Sequence, residues 1–256
     1  MRTIAVTGAA SGIGAAIRVR LEREGARVIG VDLRGAEVIA DLATASGRAE
    51  AIRAVGAASD GRLHGMVACA GLGPQVEARA TMVSVNYFGA VDLLEGLRPA
   101  LAAARPSSAV AISSNGATIS PGADGEIARA CLEGDEAEAR RLAAESSGIS
   151  VYAASKLALA RWVRRHAPSP EWAGAGIRLN AVAPGPVSTP LLQGGLDDPI
   201  LGPAIRGLPV PLGGIAEPSD IAAAVAFLLG DESRFCCGSV LFADGGSDAL
   251  VRGDRY

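Results

Sequence analysis

Lysine is almost missing from this chain. The 256 residues contain 24 basic side chains, and Lys156 is the only lysine among them, so the other 23 are arginine. A bias that replaced lysine everywhere else has left it in place here. Arginine would carry the same charge on a planar guanidinium group, whereas lysine carries it on a compact ammonium group with three rotatable hydrogen-bond donors. Its absence elsewhere therefore marks Lys156 as a candidate functional residue.

Several other features are scarce, and each scarcity excludes a class of protein. Aromatic residues make up only 4% of a chain that is 49% hydrophobic, which predicts a core of small and branched aliphatic side chains. The net charge of −3 provides no basic field for nucleic acid. No apolar run is long enough to span a membrane. The first β-prone segment starts within three residues of the N-terminus, so we expect no signal peptide and a cytoplasmic protein.

Cysteine and histidine are too few and too scattered to indicate a metal site. The four cysteines are Cys69, Cys131, Cys236 and Cys237. Their spacing fits neither a zinc site nor a disulfide framework, which favours a reducing compartment. The two histidines, His64 and His166, have no ligand spacing, and we interpret both as structural. The sequence therefore predicts no bound metal.

The lone lysine follows Tyr152 by four residues. This spacing places both side chains on one face of a helix, one turn apart. An ammonium near a phenol favours the phenolate and lowers the pKa of the tyrosine, which makes it a usable general acid or base. The alternative is a chance pair on a solvated helix face. The retention of a single lysine at this spacing favours the functional interpretation.

The N-terminus predicts a dinucleotide site. A β-prone segment at 3–6 is followed by Thr7-Gly8-Ala9-Ala10-Ser11-Gly12-Ile13-Gly14 and then by a helical pattern that Gly25 ends. A pyrophosphate can reach backbone N–H groups at such a helix N-terminus because glycines leave room for it. A second strand then ends at Asp32, and a carboxylate there accepts hydrogen bonds from ribose hydroxyls and repels a 2′-phosphate. Arg34, close by, is the one residue that argues for NADP.

These two motifs together resemble the short-chain dehydrogenase/reductase family, whose glycine pattern is TGxxxGxG. The rest of the chain matches in the expected order, with Cys69 standing where the family usually has asparagine. Further matching segments are Cys69-Ala70-Gly71, Val85-Asn86-Tyr87-Phe88-Gly89, Ala111-Ile112-Ser113-Ser114, Asn180 to Thr189, and Ala243-Asp244-Gly245-Gly246. The resemblance implies an α/β fold: one doubly wound Rossmann-type domain over residues 1–256, with a mostly or fully parallel sheet and helices on both faces.

The resemblance also implies the site residues. Ser114 would position the substrate oxygen, Tyr152 would exchange its proton, Lys156 would tune the tyrosine, and Asn86 would hold a water. Two alternatives stay open: Asn86 only caps a helical irregularity, or Ser113 rather than Ser114 is catalytic. The implied cofactor is NAD. Its predicted contacts are Gly8, Ser11, Gly12, Ile13, Gly14, Asp32, Asp41, Leu42, Ala70, Gly71, Tyr152, Lys156, Val187 and Thr189.

Four segments, Gly30–Arg34, Ala36–Leu42, Cys69–Gln75 and Ser84–Ala90, resemble the bacterial 3α-hydroxysteroid dehydrogenase/carbonyl reductase subgroup. Coniferyl-alcohol dehydrogenases look similar in the same segments. We therefore expect an NAD-dependent enzyme that interconverts a secondary alcohol and a ketone on a bulky apolar substrate. The alternatives are an aryl or allylic alcohol dehydrogenase and a catalytically silent NAD-binding regulator. Three apolar, irregular segments are expected to form the substrate pocket: 71–81, the insertion described next, and 191–214. Leu191, Leu192, Leu196, Ile200 and Leu201 would line it, and 197–211 would be a mobile lid.

Residues 115–150 form an insertion relative to the family pattern. If 135–145 is helical, Ala137, Leu142 and Ala143 form a narrow apolar stripe. The flanking patterns predict helices at 81–104, with a kink near Pro99, and at 151–166. In this family those two helices commonly pair with their copies in another chain. We expect a homodimer that depends on the insertion, with each site formed within one chain, unless the insertion is only a solvated excursion.

Overall fold

Seven parallel strands form one sheet, in the order β3-β2-β1-β4-β5-β6-β7. The computed structural model describes residues 1–254. The strands are β1 Thr3–Thr7, β2 Arg27–Asp32, β3 Val38–Ile39, β4 Gly65–Ala68, β5 Ser107–Ile112, β6 Ile177–Pro184 and β7 Val240–Ala243. The order reverses between β1 and β4, so the carboxyl ends of these strands border a crevice where open α/β sheets bind ligands. The predicted doubly wound parallel sheet is confirmed.

Helices cover both faces of the sheet. They are α1 Gly12–Arg23, α2 Ala45–Ala58, α3 Arg79–Val83, α4 Ala90–Ala103, α5 Gly116–Ile119, α6 Glu126–Glu133, α7 Glu136–Ala144, α8 Gly148–His166, α9 Pro190–Asp197, α10 Leu201–Arg206, α11 Pro218–Leu229 and α12 Ser247–Arg252. Aliphatic side chains of α1 and α11 form the core on one face, and those of α2, α4 and α8 form the core on the other. None of the helices within residues 1–254 combines the length and apolar character that crossing a bilayer demands.

The helix expected at 81–104 differs in detail from the prediction. It begins earlier, at Arg79, and a π-helical turn at Ser84–Gly89 separates α3 from α4. Such a turn adds a residue to the helical repeat, which a 3.6-residue periodicity does not reveal, and it is frequent at functional sites. Pro99 lies inside α4. The helix expected at 151–166 also begins earlier, because Ser147 caps it by accepting a hydrogen bond from the Ser150 N–H.

The insertion contains α5, α6 and α7, and the segment 135–145 is helical over Glu136–Ala144. The predicted stripe is wrong in one member: Ala137 is exposed, while Ala139 and Ala143 are fully buried. These two lie four residues apart and share one helix face. That face packs against the protein's own chain, where α7 contacts α3 and α6. The segment predicted as a lid is also more regular than expected, since it contains α10.

Candidate active site

A cavity of about 400 Å³ opens at the carboxyl ends of the strands. The glycine turn after β1 lines one part of it, Ser114, Tyr152 and Lys156 line another, and α9 and α10 close over the rest. Every one of these elements follows a parallel strand or packs against a segment that does. The topology therefore brings together side chains that are more than a hundred residues apart in the chain.

The glycine turn leaves space that side chains would fill. Gly8 and Gly12 have φ of 68° and 52°, the left-handed region that favours glycine. A Cβ on Gly14 would lie 2.0 Å from the Gly8 carbonyl oxygen, so only glycine allows α1 to start this close to the turn. Backbone N–H groups at the start of α1 thus border an open cradle. This cradle fits a dinucleotide pyrophosphate.

Asp32 lies beside the glycine turn. Its carboxylate accepts hydrogen bonds from the N–H groups of Ala10 at 3.0 Å and Leu33 at 2.7 Å. Asp41 is exposed and Leu42 is buried in the loop after β3. Asp32, Asp41 and Leu42 do not line the cavity, whereas all the other predicted coenzyme contacts do.

The two serines after β5 have different surroundings. The Ser113 hydroxyl donates to the Lys156 carbonyl oxygen at 2.8 Å, so it is engaged by the backbone of α8. Burial raises the pKa of the Tyr152 phenol, and the Ser114 hydroxyl lies close enough to offset part of this rise. Gly116 leaves room for this pair, because a Cβ there would lie 3.3 Å from Ser114 Oγ. The geometry places Ser114 rather than Ser113 beside the tyrosine.

Lys156 and Tyr152 lie on the same helix face, as expected, but the pKa of the tyrosine does not shift in the expected direction. The lysine Nζ lies 6.0 Å from the centre of the tyrosine ring and donates to the Ile112 carbonyl oxygen at 2.8 Å. Burial lowers the pKa of Lys156 to about 8. Burial also raises the pKa of Tyr152, and the Ser114 hydroxyl offsets this only in part. The expected lowering of the tyrosine pKa is therefore wrong for the protein alone, because desolvation of the phenol outweighs the effect of the Ser114 hydroxyl.

Asn86 lies in the π-helical turn and clamps the loop after β4. Its Oδ1 accepts from the Leu72 N–H at 2.7 Å, and its Nδ2 donates to the Leu72 carbonyl at 3.0 Å and to the Ser155 hydroxyl at 3.3 Å. It does not line the cavity. A Cβ on Gly71 would lie 3.3 Å from both Asn86 Oδ1 and Lys156 Nζ. Glycine at this position therefore lets the amide and the ammonium face the same small space.

The three segments expected to form the substrate pocket all line it. Their apolar contributions include Leu72, Pro74, Ile119, Ile149, Leu191, Leu192, Leu201, Ile205 and Leu208. Two predicted members do not belong, since Leu196 is not in the lining and Ile200 is largely exposed. Sequence reasoning missed Gln75, whose Nε2 donates to the Leu191 carbonyl at 3.1 Å and ties the 72–78 loop to α9. A single glutamine after Gly-Pro carries no periodic signal that would have identified it.

Both histidines have structural partners. His64 Nδ1 accepts from the Thr3 N–H at 3.0 Å, and the ring of His166 stacks on Trp162 with 4.5 Å between centroids. Among residues 1–254 there is no group of three or more His, Cys, Asp or Glu side chains that could hold a metal ion.

Two family models match this chain. Residues 2–123 match the model described as short chain dehydrogenase, and residues 137–248 match the one described as Enoyl-(Acyl carrier protein) reductase. The unmatched stretch between them, 124–136, falls inside the insertion. The family pattern thus covers the sheet and its site but not α6.

Individual relatives cover the whole chain. A 3-alpha-hydroxysteroid dehydrogenase/carbonyl reductase from Comamonas testosteroni is 44% identical over 259 residues, which is 100% of both chains. A 3beta-hydroxysteroid dehydrogenase from Eggerthella lenta is 30% identical and covers 96% of this chain and 93% of its own. The crystal structure of a 3-alpha-hydroxysteroid dehydrogenase from Pseudomonas sp. B-0831, complexed with NADH, superposes with a TM-score of 0.96 at 46% identity, over 99% of this chain and 100% of that one.

Proposed function

The chain belongs to the short-chain dehydrogenase/reductase family, and we propose that it is an NAD-dependent oxidoreductase that interconverts a secondary alcohol and a ketone on a bulky apolar substrate of the 3α-hydroxysteroid type. The observation that carries the proposal is the position of Ser114, Tyr152 and Lys156 in one cavity, between the glycine turn and an apolar pocket. Residues 1–256 would form a single coenzyme-binding domain, with 115–150 as its insertion.

Each site residue has a distinct task in this proposal. Bound NAD supplies the hydride acceptor for oxidation, and NADH supplies the donor for reduction. The glycine turn, Val187 and Thr189 hold the dinucleotide, and Asp32 binds its adenosine ribose. Ser114 hydrogen-bonds the substrate oxygen and fixes its position beside Tyr152. The tyrosine accepts the hydroxyl proton during oxidation and returns it during reduction.

Lys156 acts on the tyrosine in this scheme. Its ammonium is buried and lies on the same helix face as Tyr152. It therefore stabilises the phenolate form of the tyrosine, which accepts the substrate proton during oxidation. Asn86 and Gly71 border the space next to the ammonium, and this supports a water between the Asn86 side chain and Lys156. Such a water would connect the lysine to solvent. The hydrogen bonds of Asn86 to Leu72 and Ser155 support a structural role as well.

A spectrophotometric screen tests the proposal. Purified protein is supplied with NAD or NADP and with pairs of 3α- and 3β-hydroxysteroids, simple secondary alcohols and aryl or allylic alcohols. We expect NADH formation that is fastest with a 3α-hydroxysteroid and much slower with its 3β epimer. The epimer is the matched control because only the direction of one hydroxyl differs.

Other results would favour the alternatives. The highest kcat/KM with a coniferyl-type alcohol would favour the aryl or allylic dehydrogenase. NADH binding without turnover of any alcohol or ketone would favour a silent regulator, although the intact Ser114, Tyr152 and Lys156 argue against it. No binding of either coenzyme would overturn the proposal as a whole.

We also propose that the protein is a homodimer with each site built from one chain. The insertion packs α6 against α8 and α7 against α3, so it stands beside the face through which these helices would pair with another copy. The edge strand β7 is partly exposed, and Phe235, which precedes it, is fully exposed. A two-fold contact between the β7 strands of two copies would cover this apolar surface. It would also pair the backbone N–H and C=O groups at the edge of each sheet.

A further inference from the structure

Arg48 is a buried cation that takes no part in the proposed chemistry. Its side chain is only 4% exposed, and it lies in α2. The guanidinium donates to Asp92 at 2.6 Å and to Glu136 at 2.6 Å and 3.2 Å. A remaining donor reaches the Leu42 carbonyl oxygen at 3.3 Å. One buried side chain thus binds two carboxylates and a backbone carbonyl from three separate segments.

The partners of Arg48 join the insertion to the rest of the fold. Asp92 lies in the first turn of α4, and Glu136 is the first residue of α7, inside the insertion. Leu42 belongs to the loop between β3 and α2. Arginine's planar fork can satisfy two carboxylates at fixed angles, which makes the junction geometrically demanding. Arg48 thus links Glu136 directly to the loop that holds Leu42.

That loop lies at the coenzyme edge of the sheet. The Ala40 N–H donates to the Asp32 carbonyl at 3.0 Å, which fixes the loop beside the strand end that carries the ribose-binding carboxylate. Leu42 packs on Gly89, where a Cβ would lie only 3.2 Å from the leucine Cβ. The carboxyl ends of β2 and β3 are the part of a doubly wound sheet that faces the adenosine half of a dinucleotide.

We propose that the insertion positions the adenosine end of the coenzyme site through Glu136, Arg48 and Leu42. Glu136 and Arg48 are positioning residues, because neither lines the cavity and they act through the Leu42 backbone. The inference rests on the proposed use of NAD. It assigns to the insertion a task in coenzyme affinity that is distinct from any task in subunit assembly.

Calorimetric binding of NADH and of ADP-ribose to Glu136→Gln tests the inference. The matched control is Glu138→Gln, which removes the same charge from the same helix but breaks only an exposed pair with Arg141. We expect Glu136→Gln to weaken NADH and ADP-ribose by the same factor, about five-fold, and the control to change neither. Equal factors are expected because ADP-ribose retains the adenosine half and lacks only the nicotinamide ring.

Two results would overturn the inference. Unchanged affinities in Glu136→Gln, with only a lower Tm, would show that the junction is structural. Loss of NADH affinity without loss of ADP-ribose affinity would place the effect at the other end of the site. Arg48→Met, measured well below its Tm, provides a second variant and should weaken both ligands at least as much as Glu136→Gln. Wild-type protein that binds neither ligand would contradict the proposed function instead.

Discussion

The ammonium of Lys156 is buried and the phenol of Tyr152 is partly buried at the cavity, and loss of water favours the neutral form of each. The pKa of the lysine falls to about 8, while that of the tyrosine rises. At neutral pH the protein therefore holds a charged lysine beside a protonated phenol, which suits proton donation during ketone reduction. Alcohol oxidation needs the phenolate, so its rate should rise with pH.

Substitution of the pair should separate binding from chemistry. Tyr152→Phe removes the proton donor but keeps the ring, so kcat should fall about 1,000-fold while NADH binding remains. Lys156→Arg keeps the charge but not the compact head, and should lower kcat about 100-fold and raise the pH optimum for oxidation. Steady-state rates across pH and fluorescence titration with NADH measure both effects. Tyr152→Phe activity within a few-fold of wild type would disprove the assignment.

The lowered pKa of Lys156 also predicts how stability changes with pH. In the unfolded chain the lysine stays charged up to about pH 10.4, whereas in the folded protein it loses its proton near 8. Below pH 8 the folded state bears the full cost of a buried charge, and this cost disappears as pH rises toward 10. Lys156→Met lacks the charge. Denaturant unfolding should therefore show the stability of wild type rising relative to this variant between pH 7 and 10, by on the order of 2 kcal/mol. A pH-independent difference would show that the ammonium is not desolvated.

Asp32 should decide the coenzyme. Its carboxylate lies beside the glycine turn, where a 2′-phosphate would meet a like charge. Asp32→Ser removes that charge. The ratio of kcat/KM with NAD to kcat/KM with NADP should therefore fall about ten-fold or more. The companion variant is Arg34→Ser, which removes the nearby cation and should raise the same ratio. Wild-type preference for NADPH would mean that the role given to Asp32 is wrong.

At the scale of elements, the sequence predicted what depends on periodicity and turn residues. The first βαβ unit follows from β-prone segments, helical spacing and a glycine stop, and it is confirmed. The π-helical turn at Ser84–Gly89 was not predictable, since its extra residue leaves no mark on a short apolar pattern. Burial of Ala139 rather than Ala137 depends on which neighbour the helix meets, and only the tertiary fold determines that.

Two helical glycines with opposite surroundings test the tight start of α1. A Cβ on Gly14 would collide with the Gly8 carbonyl at 2.0 Å, whereas a Cβ on Gly56 in α2 would meet nothing within 4 Å. Gly14→Ala should therefore displace the turn and abolish NADH binding. Gly56→Ala should raise the free energy of unfolding by about 0.5–1 kcal/mol and leave NADH binding unchanged. Thermal melts and NADH titration distinguish the two, and a Gly14→Ala variant with normal affinity would refute the cradle.

At the scale of the whole molecule, the insertion packs mainly against its own chain. Its buried alanines pack against α3 and α6, and Arg140 donates to the Ser84 hydroxyl at 2.7 Å. Ser120 and Ile149, near the two ends of the insertion, line the pocket. The sequence indicated where the insertion lies but not which surface it covers. With that surface used internally, the exposed apolar side chains Phe235 and Leu241 at and beside β7 remain available for a second copy.

The proposed homodimer should therefore separate when the β7 edge is charged. Phe235 is fully exposed and Leu241 is 36% exposed, so Phe235→Asp with Leu241→Asp removes apolar surface from the contact and adds like charges across the two-fold axis. Sedimentation should show a dimer for wild type and a monomer for this double variant, with NADH affinity unchanged because each site lies within one chain. Ile200→Asp is the control, since Ile200 is 80% exposed at the lid and should leave the dimer intact. Deletion of 122–146 should lower the Tm, because it uncovers α3 and α8. A wild-type monomer, or a dimer that survives both β7 substitutions, would refute this contact.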